Sequence, residues 1–87
     1  MDFVPTPDEL KSMFIMWYNS NVADYDVSGL DDAEVYIVWY CYVLQSAKCL
    51  ISTTRMDHMY YEVTYNKDKA ELYIDSYKKV RNEVITF

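Results

Sequence analysis

VYIVWYCYVLQSAKCLISTTRMDHMYYEVTY, from Val35 to Tyr65, is the stretch that decides the fold. It is dense in β-branched and aromatic residues, which suit a pleated, half-buried surface better than a helix. Turn-type residues divide it into three predicted strands: Val35–Leu44, Ala47–Thr53 and Met59–Tyr65. Strict alternation in the first puts Val35, Ile37, Trp39, Cys41 and Val43 on one face and Tyr36, Val38, Tyr40, Tyr42 and Leu44 on the other. Both faces are apolar, so this strand wants cover on two sides. The competing assignment is a helix from Leu30 to Leu50 capped by Asp31. Strands one and two are expected to turn about Gln45 and Ser46, which brings Cys41 and Cys49 toward a cross-strand register. Buried free thiols are favoured over a disulfide there.

The flanks read as helices. Thr6-Pro7-Asp8-Glu9 supplies a capping hydroxyl, a proline at the first helical position and the reciprocal glutamate of a capping box. Leu10, Met13, Phe14 and Trp17 then make one apolar stripe, predicting a helix over 7–20, with Phe3 and Val4 placed to staple its entry. After the strands, Asp68 and Glu71 resemble a capping pair. Ala70, Tyr73, Tyr77, Val80 and Val84 fall on one helical stripe, predicting a second helix over 68–82, with an extended segment at Glu83–Phe87. The expected architecture is a single α+β domain over 1–87: N-terminal helix, three-stranded antiparallel sheet, C-terminal helix.

Eighty-seven residues, 52% of them hydrophobic, are enough for one small core. The net charge of −6 disfavours nucleic acid as a direct partner. That acidity belongs to the first third, where residues 1–34 hold eight carboxylates against Lys11 alone; residues 35–87 hold seven basic and six acidic side chains. No secretory signal pattern is present and no apolar run is long enough to span a bilayer, so the expected setting is the cytoplasm. Ten tyrosines are the oddity of the composition. Tyr combines large contact area with a polar tip and serves sheet faces and interfaces alike.

Catalytic chemistry has little foothold. His58 has no nucleophile near it in sequence, and two Cys with one His fall short of a structural zinc set. No Walker loop, dinucleotide fingerprint or His-Glu metal motif occurs. Asp24-x-Asp26-x-Ser28-Gly29 matches half of a calcium loop, but Val35 stands where a bidentate glutamate belongs. The expectation is a non-enzymatic chain with no cofactor and no metal.

Val35-Tyr-Ile-Val-Trp-Tyr40, Leu44-Gln-Ser-Ala-Lys-Cys-Leu-Ile-Ser-Thr53, Met59-Tyr-Tyr-Glu-Val-Thr-Tyr-Asn66 and Tyr73-Ile-Asp-Ser-Tyr-Lys-Lys79 together resemble a family. It is that of small uncharacterised proteins from accessory regions of phages and prophages of Gram-positive bacteria. The resemblance covers residues 34–85 and implies a genomic setting. It departs at the second turn, where Asp57-His58 stands in place of Asp-Gly. In such a setting a compact acidic protein suits the role of an inhibitor that occupies the nucleic-acid-binding surface of a host defence protein, such as a CRISPR effector nuclease. Asp24, Asp26, Asp31, Asp32 and Glu34 are the expected contact carboxylates, with Tyr36, Tyr40 and Tyr42 as anchors. The alternative is a structural module that forms a homodimer through a Tyr-rich sheet face.

Overall fold

The computed structural model describes residues 3–87. One helix, α1 (Pro7–Asn21), is followed by a single 3-10 turn, Asp32–Glu34. Four strands complete the fold: β1 (Val35–Val43), β2 (Ser46–Thr53), β3 (Met59–Asn66) and β4 (Glu71–Lys78). The strands form an antiparallel meander in the order β1-β2-β3-β4, each paired with its neighbour in sequence.

α1 starts as its sequence dictates. The Thr6 hydroxyl accepts from the Glu9 amide at 3.2 Å and the Glu9 carboxylate accepts from the Thr6 amide at 2.9 Å, completing the capping box. Leu10, Phe14 and Tyr18 line its buried side. They meet Val35, Ala47, Cys49, Ile51, Tyr61 and Val63 from the sheet to make the core. Burying each large apolar side chain contributes about 1.5–3 kcal/mol. Aromatic rings tie the two layers, with Phe14 and Tyr61 centroids 4.7 Å apart.

The expected C-terminal helix is not there; β4 and a segment without regular secondary structure take its place. Two local features decide this. Lys67–Ala70 close a tight turn, with Ala70 in the left-handed region at φ 53° and the Asn66 carboxamide accepting from the Lys69 amide. A chain reversed in this way delivers Glu71–Lys78 back onto β3, where alternation rather than a helical stripe governs. Leu72 and Ile74 turn toward the core, and Tyr73 and Tyr77 turn away. The stripe of Ala70, Tyr73 and Tyr77 thus arises from a period of two read as one of 3.6. Tyr and Ile also favour strands over helices.

The first strand is corrected as well. Its register to β2 shifts between Ile37 and Trp39, leaving Val38 as a bulge. A bulge inserts one residue and swaps every later side chain to the other face. Val35 and Ile37 point toward α1, but so do Tyr40 and Tyr42, which pair with Cys49 and Ala47. Trp39, Cys41 and Val43 go with Tyr36 to the far face. The hairpin loop is Leu44–Gln45, since Val43 pairs with Ser46, one residue earlier than expected.

The two thiols consequently lie on opposite faces, and both are free. Cys49 is fully buried, which pushes its thiol up to about 11. At neutral pH a thiol reagent should therefore label Cys41 in the folded protein and Cys49 only after unfolding. Labelling of both at one rate would contradict the bulged register.

Candidate functional site

Two surfaces qualify as candidate sites, and their geometry differs. The first is the acidic segment between α1 and β1. Asn19 holds its far end: its carboxamide oxygen accepts from the Leu30 amide at 2.7 Å and its nitrogen donates to the Leu30 carbonyl. Gly29 leaves room for this contact: a Cβ there would stand 2.8 Å from the Asn19 oxygen and would have to push that side chain aside. Arg55, from the β2–β3 turn, clamps the rest. Its guanidinium donates to the Ser28 carbonyl at 2.6 Å, to the Gly29 carbonyl and to the Glu34 carboxylate at 3.1 Å. It also lies over the Tyr18 ring, 5.9 Å from its centroid.

This clamp changes what the five expected carboxylates can do. Glu34 is committed to Arg55 and also accepts from the Asp31 amide. Asp32 pairs with Lys11 at 3.3 Å. One Asp24 carboxylate oxygen accepts from the amides of Asp26 and Val27, closing a local turn. Asp26 and Asp31 are exposed. The segment is thus a folded, self-paired loop. No group of three or more His, Cys, Asp or Glu side chains among the described residues is arranged to hold a metal ion.

The Arg55 guanidinium, with help from the Asp31 amide, holds the Glu34 carboxyl below its ordinary value of 4.5. A carboxyl depressed on folding stabilises the fold above its unfolded value and loses that contribution as pH falls through the folded one. The NMR resonances of the Asp31 amide and the Arg55 Nε–H should therefore move together, on the acid side of pH 4.5. If both stay fixed until the whole chain unfolds, Glu34 does not carry the clamp.

The second surface is the sheet face opposite α1. Register places four cross-strand rows on it. Tyr36, Ser52, Tyr60 and Tyr77 form one; Trp39, Leu50, Glu62 and Asp75 the next. Cys41, Lys48, Thr64 and Tyr73 form the third, and Val43, Ser46, Asn66 and Glu71 the last. No element among the described residues covers this face. Tyr36 is 48% exposed, Trp39 41%, Tyr73 41% and Tyr77 53%, high values for large aromatics within strands. Lys48 and Glu62 pair at 3.2 Å near its centre, and the Tyr73 hydroxyl donates to Glu71. Asp75 sits directly across from Glu62, a like-charge neighbour that costs stability in isolation. The face thus offers aromatic anchors around a Lys48–Glu62 pair, with Asp75 left as the uncompensated carboxylate beside it.

Of the expected tyrosines, Tyr36 stands on this open face. Tyr40 does not: it lies on the helix side with its hydroxyl donating to the Pro5 carbonyl at 3.2 Å. Tyr42 is exposed but also belongs to the helix side, at the sheet's corner. The anchors missed in the sequence are Trp39, Tyr60, Tyr73 and Tyr77. Alternation in Met59–Tyr65 already separates Tyr60 from the core residues; Trp39 is obscured by the bulge and Tyr73 and Tyr77 by the helical stripe.

Residues 8–87 match the model of a family described as a family of unknown function (DUF6275). Neither a curated protein nor a solved structure matches the chain. Among the described residues no helix is long and apolar enough to cross a membrane.

Proposed function

We propose a protein-binding role for this chain, which belongs to the family of unknown function designated DUF6275, with the open sheet face as its contact surface. The observation that carries this is the placement of Tyr36, Trp39, Tyr60, Tyr73 and Tyr77 on one uncovered face. Tyr and Trp provide rigid, amphipathic contact area and dominate binding energy at interfaces. With Glu62 offset by Lys48, Asp75 and Glu71 leave that face a mild acidic character suited to a basic partner. The role is stoichiometric and non-enzymatic. Its occupant is a host defence protein with a basic nucleic-acid-binding surface, a CRISPR effector nuclease being the leading case, as the resemblance to phage and prophage proteins suggests. Cleavage assays with purified effector nucleases should show inhibition at equimolar inhibitor together with a stable complex. Unimpaired cleavage and no complex across effector types would overturn this.

Charge mimicry by the acidic loop is a second reading, favoured by the exposure of Asp26 and Asp31 on a segment fixed by Asn19 and Arg55. Reversing the charge at Asp26 and Asp31 separates the two. Loss of inhibition would assign the contact to the loop, and full inhibition would leave it to the sheet face.

A further inference from the structure

We infer that a second copy of this chain docks along the free edge of β4, each copy adding its residues 79–87 to the other's sheet as a fifth strand. This is independent of the open-face contact above. The segment after β4 holds no regular secondary structure and is largely exposed: Val84 is 83% exposed, Ile85 74% and Phe87 112%. Its composition nonetheless suits a strand. Val80, Asn82, Val84 and Thr86 alternate with Arg81, Glu83, Ile85 and Phe87, with no Gly or Pro among them. The Lys79 amide donates to the His58 carbonyl at 2.7 Å, so the line of β4 carries past its last residue. Nine residues reach about 30 Å, as long as β4 itself.

Among the described residues the sheet has two free edges, and they are not equal. β1 is broken by the bulge at Val38, a feature that discourages edge pairing. β4 keeps an unbroken register with β3 from Glu71 to Lys78, so its outer edge presents a regular row of donors and acceptors. α1 lies over β1 and β2, leaving Leu72 and Ile74 half-buried at the β4 margin. A two-fold axis at Lys78 sets Val84 of one copy against Leu72 of the other. It also sets Arg81 against Asp75, the carboxylate opposed to Glu62 within its own sheet. Among the described residues Arg81 otherwise makes only an exposed pair with Glu83, at 3.0 Å. The same contact recurs on both sides of the axis, which closes the assembly as a dimer.

Sedimentation velocity over a range of concentrations tests this on the full chain. The wild type should dimerise. Val84→Pro, which removes a ladder donor from a segment that supports nothing within its own chain, should weaken the dimer at least tenfold with unchanged far-UV circular dichroism. Arg81→Asp and Asp75→Arg should each weaken it, and combining them should restore it. In a Cys41→Ser background, Leu72→Cys and Val84→Cys chains mixed under mild oxidation should form a covalent heterodimer. A wild type that stays monomeric overturns the inference. So does a dimer indifferent to Val84→Pro but broken by Trp39→Ala, which would place self-association on the open face instead.

Discussion

Phe14→Ala is expected to lower stability by about 3–5 kcal/mol. Phe14 is fully buried between the layers, with its ring centroid 4.7 Å from that of Tyr61, 6.0 Å from that of Tyr18 and 6.2 Å from that of Trp17. With a single helix covering the sheet, no second element can close over the cavity. A chain of this size has roughly 5–10 kcal/mol in total, so the substitution should remove a large share of its stability. Urea unfolding followed by circular dichroism reads this directly. A loss below about 1 kcal/mol would mean that α1 is not the element that seals the core.

Arg55→Ala is expected to release the loop at 22–34 and to cost about 1–2 kcal/mol, a figure reduced for the partial exposure of the site. Three segments depend on this one side chain: the carbonyls of Ser28 and Gly29, the Glu34 carboxylate and the Tyr18 ring. Arg55→Lys should rescue little, because an ammonium cannot reproduce the planar fork that reaches carbonyls and carboxylate together. Hydrogen exchange should quicken at the Leu30 and Glu34 amides in both variants while the β2 and β3 amides stay protected. Full rescue by Lys would show that charge alone fixes the loop.

Much of this fold is legible in the sequence. α1 and its capping box are readable from Thr6 to Glu9, and the three central strands from β-branched and aromatic density. What fails is instructive in physical terms. The segment after Asn66 carries residues whose spacing satisfies two periods at once, and only the left-handed turn at Ala70, made by a residue with no special liking for it, selects the strand. The bulge at Val38 has no glycine to announce it. Both features redistribute the aromatics. The open face was foreseeable as a spare Tyr-rich surface, but its membership depends on the bulge and on β4. The acidic loop was visible as a charge cluster, whereas its internal pairing requires Arg55, which is distant in sequence and carries no local signal.

On the function proposed above, the open face rather than the acidic loop makes the specific contact. The direct measurement is the affinity of a combined Tyr36→Ala, Trp39→Ala and Tyr73→Ala variant for an effector nuclease that the wild type inhibits. All three side chains are more than 40% exposed, so the fold should persist. Removing the anchors should weaken binding by about 30-fold or more, as hot-spot truncations do. The Asp26 and Asp31 charge reversals should leave binding within a few-fold of wild type. An unchanged affinity in the aromatic variant would contradict the account.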